Sequence, residues 1–409
     1  MTYEFHTDTD QKLFDRFVMA SDQNTLFQCS DWLKIKTNWQ GMLTSVTEAG
    51  EIVAAGLVLI RQMPLGTTLF YLPRGPVMDY HNRELLEFYF AGLKKTARQK
   101  KAIAIRFDPA VLSRCYDYRQ RHEDHPYMNQ DIIDALKQLG AVHRGFTMKI
   151  EESTQPRFNA AMNVEPDYRE RLEHKTMKCI RAAEHKGIEV LEGPEYIPAF
   201  AQAMHYTEVR KKVALRNEEY FRNMMNVYGD RAICMVTRLR FPEQLQKLRE
   251  AIAVNTEKLA GQLSKKERAA VNQQLQNDQK ELQKLEQDYE REGRDEVITS
   301  GILAVYNDSL MELFYMGNHP DYLRMYSSYL LYARCLDRCV DLGIRHCSFG
   351  GIEGTLDDGL TLFKSNWLMQ VEEYIGEFNI VLNPFMYSLF DKVYPYLLKT
   401  AAKLRGRES

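Results

Sequence analysis

Apolar and polar positions follow two different periods along the chain, and the switches between them outline its elements. Ser45–Ala49 and Ile52–Leu59 are β-rich runs separated by Gly50-Glu51, which predicts a hairpin. Thr67–Leu72 reads as a third strand, ended by Pro73-Arg74-Gly75-Pro76, whose two prolines cannot continue a ladder. From Asn82 to Lys100 the period becomes helical, with Leu85, Leu86, Tyr89, Phe90 and Leu93 on one face. The strand Ala102–Phe107 follows and stops at Asp108-Pro109.

A second cycle begins near Asp131, with a helix to Leu139, a stop at Gly140 and a β-run at Thr147–Ile150. A strongly basic helix is predicted over Pro166–Lys186, closed by Gly187, then a strand at Ile188–Leu191. Further helices are expected over Tyr196–Val213, Asn217–Tyr228 and Tyr322–Leu342, with strands at Ala232–Arg238, Thr299–Tyr306 and His346–Phe349. Between two of these strands lies Pro242–Gly293, nearly free of aromatics and rich in Glu, Lys, Gln and Leu. Leu245, Leu248, Ile252, Leu259 and Leu263 mark one helix there; Val271, Leu275, Leu282, Leu285 and Tyr289 mark another, at coiled-coil spacings. Ser264 and Glu267 fit a capping box at the start of the second helix.

The pattern predicts an α+β chain of two successive units, residues 1–150 and 151–376. An antiparallel coiled-coil hairpin at 242–295 is inserted in the second, and the C-terminal segment from about 377 to 409 packs back on the first.

Length and charge narrow the picture. The 409 residues suffice for two or three domains with real cores. With 54 Lys and Arg against 56 Asp and Glu, a protein that coats nucleic acid indiscriminately is excluded, so a polyanion has to bind a local patch. No signal-peptide pattern and no apolar run of membrane-spanning length are found, so a cytoplasmic location is expected. Seven cysteines without a framework spacing suit reduced thiols. The tail Phe385–Arg407 mixes aromatics and leucines with cations, which suits either a packed terminal helix or peripheral contact with the inner face of the membrane.

Candidate chemistry is sparse. Cys335, Cys339, His346 and Cys347 lie close together but lack a zinc-knuckle spacing, and buried thiols on an amphipathic helix are the expected reading; no metal and no cofactor are expected. P-loop, H-E-x-x-H and G-x-S-x-G motifs are absent. Gly350-Gly351 reads as a sharp turn after a strand. Basic clusters are more informative: Lys175, Lys178, Arg181 and Lys186 on the basic helix, Lys34 and Lys36, and Arg210, Lys211, Lys212 and Arg216. Such groups suit phosphates or one solvated helix face. Lys364, in Leu360-Thr361-Leu362-Phe363-Lys364, either snorkels from a core edge or stabilises negative charge in a pocket.

Several of these stretches occur together in a known order. QCSDWLKIKTNW at Gln28–Trp39, YLPRGPVMDY at Tyr71–Tyr80, IRFDP at Ile105–Pro109, HKTMKCIRAAEHKGIEV from His174, HYTEVRKKVALRNEEYF from His205, and SFGGIEG, GLTLFKSNW and EEYIGEFNIVLNP near the end cover most of the chain. In this combination the sequence resembles the Fem family (FemABX) of non-ribosomal peptidyltransferases. The resemblance implies two GNAT-like units, the second carrying a helical hairpin in long-form members. It further implies transfer of an amino acid, often Gly, Ala or Ser, from aminoacyl-tRNA to the stem-peptide lysine amine of a UDP-linked or lipid-linked peptidoglycan precursor. By the same resemblance, Lys36, Arg210 and Arg216 bind the acceptor's diphosphate and Asp108 lies near the acceptor amine. Lys364 is the lysine of the FK element near the reacting ester. Lys175, Lys178 and Arg181 are candidates for contact with tRNA. The FK element usually continues with Gly and Phe, where this chain has Ser365-Asn366-Trp367.

Two rival readings remain at this stage. One is an acyl-CoA-dependent GNAT N-acyltransferase, for which the pyrophosphate-binding Q/R-x-x-G-x-G/A loop is missing. The other is a non-catalytic relative acting as a scaffold.

Overall fold

A computed structural model describes residues 2–211 and 216–390. The chain divides into two units, one formed by residues 1–166, 306–312 and 342–409, the other by residues 167–305 and 313–341.

In the first unit, the predicted hairpin is made by longer strands, Gln40–Glu48 and Glu51–Met63. Its two-residue turn has Ala49 and Gly50 both at positive φ, the primed geometry that matches strand twist. The sheet order is Tyr3–His6, Gln40–Glu48, Glu51–Met63, Thr67–Leu72, Ala102–Phe107, Phe378–Val381 and Ala141–His143. Only the Thr67–Leu72 and Ala102–Phe107 neighbours run parallel, which is what a helical crossover between them permits. That crossover is Arg83–Gln99, whose side-chain cap is Asn82. Its Leu85, Leu86, Tyr89, Phe90 and Leu93 are all buried against the sheet, as the periodicity required.

The strand Phe378–Val381, far along the chain, pairs with both Ala102–Phe107 and Ala141–His143, and Phe378 stacks on Phe107 at 5.4 Å. A second ladder in this unit runs Leu112–Asp117, Gln370–Tyr374, Phe158–Asn163 and His346–Ile352, with Leu310–Glu312 alongside the last in parallel. Thr147–Ile150 is not a strand. Glu152 accepts hydrogen bonds from the backbone N–H groups of Met148 and Lys149, so those donors are unavailable to a ladder, and a short 3₁₀ turn follows at Ile150–Glu152.

In the second unit, Ile188–Glu192, Ala232–Arg240 and Glu296–Tyr306 form an antiparallel ladder. The expected single helix over Pro166–Lys186 is instead two, Tyr168–Arg171 and His174–His185, broken at the extended Leu172. Tertiary contacts override the periodicity: Tyr168 and Arg169 are both tied to Asp337, while Leu172 turns inward and is buried. Tyr322–Leu342 is likewise split, with Tyr326 in a left-handed conformation between the 3₁₀ segment Pro320–Met325 and the helix Ser327–Leu342. Cys335 and Cys339 are fully buried on that helix.

The hairpin is formed by Phe241–Ala260 and Lys265–Glu292. Ser264 and Glu267 make both halves of the capping box, satisfying donors that a helix start leaves orphaned. Phe241, Leu245, Leu248 and Leu285 are buried near the base, where Phe241 stacks on Tyr289, whereas Ile252, Leu259, Val271 and Leu275 are only half-buried. Lys186 donates to Glu281 of the hairpin at 2.8 Å, so one cation of the basic helix is neutralised by a carboxylate distant in sequence. Among the described residues no helix is long and apolar enough to cross a membrane. Of the tail, only Pro384–Ser388 and the two residues after it are described; the cations from Lys392 to Arg407 lie outside the described residues.

Candidate active site

The strand Ala102–Phe107 delivers Asp108 at its C-terminal end, and the neighbouring parallel strand Thr67–Leu72 delivers Tyr71 and the Pro73-Arg74 bend beside it. Parallel pairing brings both strand ends to the same edge, so the two motifs meet. Asp108 is buried, its Oδ2 accepting from the Tyr71 hydroxyl at 2.8 Å and its Oδ1 from the Arg74 backbone N–H at 2.6 Å. Burial, with a smaller push from Glu377, raises its carboxyl to about 7 against the opposing pull of the Arg74 charge and the two hydrogen bonds. The Tyr71 hydroxyl is raised well above its ordinary value, chiefly by burial and then by Asp108, so it stays a donor.

Arg74 is the hub. It is non-glycine at φ +55, a left-handed conformation that L-residues adopt at a cost. Its guanidinium lies 3.8 Å over the Tyr374 ring and donates to the Pro156 carbonyl at 2.7 Å. Together with the Asp108 contact, this fixes both its backbone and its side chain.

The second ladder of the same unit contributes more carboxylates. Glu373, with no exposure at all, accepts from Arg157 at 3.0 Å, from Arg114 and from the Tyr116 hydroxyl. Its neighbour Glu372 points to the other face, as strand alternation requires, and accepts from Asn159 at 2.8 Å and from Tyr374, with His346 Nε2 at 3.4 Å. Glu377 takes the Thr154 N–H and pairs with Arg106. Glu312, which no motif marked, is half-buried and has the Ser348 hydroxyl as partner; burial pushes its carboxyl up to about 7, and Arg74, Glu372 and Lys364 act on it electrostatically.

Lys364 closes the helix Gly359–Lys364, which Asp358 caps through the N–H groups of Leu360 and Thr361. Its side chain does not snorkel. It is only 4% exposed, and Nζ donates to the carbonyls of Gly350 at 3.0 Å and Gly351 at 2.9 Å. Those glycines lie inside the strand His346–Ile352 and not in a turn after it. The register shifts between Ser348 and Gly350, Gly350 sits at φ +79, and a Cβ on Gly351 would strike the Pro156 ring. The bulge turns two consecutive carbonyls toward the ammonium, which fixes a positive charge in a buried place.

The predicted site residues separate into groups. Asp108 and Lys364 belong to one polar cluster of the first unit: Asp108 holds the Arg74 N–H, Arg74 donates to the Pro156 carbonyl, the Pro156 ring lies against Gly351, and the Gly351 carbonyl accepts from Lys364. Lys36 is in the same unit, half-buried at the end of the helix Asp31–Ile35, with Nζ 4.7 Å from the Trp32 ring centroid. Arg216 is in the second unit, exposed, beside the Tyr220 ring at 5.0 Å; the side chains of Arg210 and Lys211 and the whole of Lys212 lie outside the described residues. Lys175, Lys178 and Arg181 line the exposed face of His174–His185, opposite the buried Thr176, Ile180 and Ala183. Tyr71, Arg74 and Glu372 lay inside motifs visible in the sequence but were not singled out; Glu312 carried no signal.

The FemAB family model matches residues 9–394 of this chain. The lipid II:glycine glycyltransferase of Staphylococcus epidermidis is 27% identical, over 96% of this chain and 97% of the relative. The aminoacyltransferase FemB of the same species is 25% identical, over 94% and 97%. The crystal structure of FemX superimposes with a TM-score of 0.73 at 24% identity, covering 96% of this chain and all of FemX, so the chain has the α+β fold of FemX, and the expected helical hairpin is present.

Proposed function

Because this chain belongs to the FemAB family, whose aminoacyltransferases build the interpeptide bridge of peptidoglycan, we propose that it moves an amino acid of the Gly, Ala or Ser class from aminoacyl-tRNA to the stem-peptide lysine amine of a peptidoglycan precursor. The relatives named for lipid II favour a lipid-linked acceptor over a nucleotide-linked one. The observation that carries the proposal is a near-neutral buried carboxylate, Asp108, in one polar cluster with a buried ammonium, Lys364.

The chemistry asks for little more. An ester of tRNA is already activated, so neither a covalent nucleophile nor a metal is required by the reaction. Holding amine and ester together is worth roughly 7–11 kcal/mol in effective molarity. The acceptor amine, with an unperturbed pKa of about 10.4, has to lose its charge before it attacks. Asp108, fixed by Tyr71 and Arg74, orients that amine. As the tetrahedral intermediate forms, charge develops on the ester oxygen, and Lys364 supplies a positive charge whose position is set in advance by the Gly350 and Gly351 carbonyls. Lys36, Arg210 and Arg216 are assigned to the acceptor's diphosphate, and Lys175, Lys178 and Arg181 to tRNA, by resemblance and charge. The division of the chain into GNAT-like units at residues 150 and 376, and membrane contact through the tail, belong to the same proposal.

A transfer assay offering labelled glycyl-, alanyl- and seryl-tRNA with lipid-linked and nucleotide-linked precursor, beside acetyl-CoA, tests this directly. Label on the lysine amine from one of the tRNAs is expected. Label only from acetyl-CoA would replace the proposal by an acyl-CoA N-acyltransferase, and no label from any donor would favour a scaffold.

A further inference from the structure

One face of the first unit's sheet packs on the crossover helix Arg83–Gln99, and the opposite face carries a row that leads to Asp108. Strand register shows which side chains share that face. Arg61 pairs with Leu69 and Leu59 with Tyr71; Leu69 and Tyr71 pair in turn with Ala104 and Arg106, and Arg106 with Asn379. Directly paired residues point to one side, and their alternates Ile60, Phe70, Ile105 and Ile380 are buried in the core under the helix. Asp108 lies on the same side as Arg106, since the Tyr71 hydroxyl reaches its carboxyl at 2.8 Å. The Trp39 ring spans the row, its centroid 6.4 Å from that of Tyr71 and 5.7 Å from the Arg61 guanidinium.

On this face lies a cavity of about 410 Å³, the size of a small-ligand site. Leu69, Ile103, Tyr387 and Phe390 give it an apolar wall, and Arg61, Arg106 and Arg144 a cationic one. Two of its carboxylates are already engaged: Glu377 is held by Arg106 at 3.4 Å and by the Thr154 N–H at 2.9 Å, and Glu152 by the N–H groups of Met148 and Lys149, while Glu151 is exposed to solvent. Arg106 is taken up by Glu377, Asn379 and Thr154. Arg61 differs, because among the described residues it makes no ion pair and its guanidinium rests by the Trp39 ring. A guanidinium with no counter-charge, facing a cavity with an apolar wall, suits a carboxylate carried on a small apolar residue, both of whose oxygens the planar fork can meet.

The spacing fits the acceptor. Ala104, in register with Leu69 and through it with Arg61, stands four residues before Asp108, about 13 Å along the strand at roughly 3.3 Å per residue. In a five-residue precursor stem with lysine third, the extended lysine side chain spans about 6 Å and the two residues after it about 7 Å, again about 13 Å from amine to terminal carboxylate. We propose that this cavity is the subsite for the free C-terminal end of the acceptor stem, with Arg61 binding its terminal carboxylate while the lysine amine lies at Asp108. The subsite rests on the aminoacyl-transfer reading. Through it the enzyme measures the stem: an acceptor shortened by one or two residues, or one whose carboxylate is blocked, leaves Arg61 without its partner. Arg61 is thus a specificity-determining residue, some 13 Å from the reacting amine on the same estimate.

The test offers pre-charged tRNA with precursors that share the lysine: the five-residue stem with a free carboxylate, the same stem as its C-terminal amide, and stems ending one residue after the lysine or at it. For wild type, KM for the amide and for both shortened stems is expected to lie about 10-fold or more above that for the free acid, with KM for tRNA unchanged. Arg61→Gln is expected to raise KM for the acid to the level of the amide and to leave the amide within about twofold. Arg61→Lys, which keeps the charge without the fork, is expected to keep part of the preference. Arg61 is exposed, so both variants are expected to unfold at the wild-type midpoint. Wild type using acid and amide equally, a Gln variant that keeps the preference, or one that raises both KM values alike would overturn the subsite and leave the transfer reading standing. Absence of transfer from any aminoacyl-tRNA to any of the stems would overturn that reading itself, and the subsite with it.

Discussion

Asp108→Asn separates the structural cost of the site from its use. In the folded chain the carboxyl titrates near 7, against 3.8 when unperturbed, a difference worth about 4 kcal/mol at 1.36 kcal/mol per pH unit. The sign follows from proton counting. Between pH 4 and 7 the folded state holds a proton that the unfolded chain has released, so stability falls as pH rises and levels off once the folded group ionises. Wild type is therefore expected to lose up to about 4 kcal/mol across that window through this residue alone. An Asn at this position has no charge to desolvate, and its carbonyl still accepts from the Arg74 N–H. Urea unfolding of both proteins at pH 4.5, 6, 7 and 8 is expected to show the variant gaining on wild type with rising pH, then a plateau above 7. Glu312 titrates in the same range, but it is common to both proteins and cancels in the difference. Transfer at pH 7.5 is expected to fall 10- to 100-fold in the same variant. A difference in stability that stays flat within about 0.5 kcal/mol from pH 4.5 to 8 would refute the claim that burial dominates at Asp108.

Three further outcomes are expected. Lys364→Met should lower kcat by about 10²–10³ with acceptor KM little changed, the size expected for one preorganised oxyanion group; wild-type turnover would remove Lys364 from the reaction. Glu373→Gln should destabilise the fold by about 3–5 kcal/mol in denaturant unfolding, because it leaves the 3%-exposed Arg157 guanidinium buried without its counter-charge. Reversing Lys175, Lys178 and Arg181 to Glu together should raise KM for tRNA and flatten its salt dependence while leaving the acceptor's KM unchanged; equal effects on both substrates would argue against a tRNA contact there.

Local physics made much of the fold legible. The crossover helix Arg83–Gln99 and the strands Thr67–Leu72 and Ala102–Phe107 follow from periodicity and from prolines that end ladders. The hairpin follows from leucine spacing and one capping box. Elements failed to appear where a side chain acted at long range: Glu152 withheld two donors from a predicted strand, and Asp337 held Tyr168 and Arg169 so that one predicted helix became two.

The sequence by itself determined the class of the chain, most of its elements and, through ordered motifs, its family and the candidates Lys36, Asp108 and Lys364. It also showed that whole-chain neutrality conceals local basic patches such as Lys175, Lys178 and Arg181. What only the tertiary structure decided is the state of the charges. Asp108 is near-neutral because it is buried between Tyr71 and Arg74, and Lys364 is fixed because a glycine bulge turns two carbonyls toward it. Glu312 enters the site because Leu310–Glu312 pairs with His346–Ser348 across more than thirty residues of chain. Desolvation and charge proximity depend on distances in space, and a one-dimensional pattern carries spacing along the chain alone.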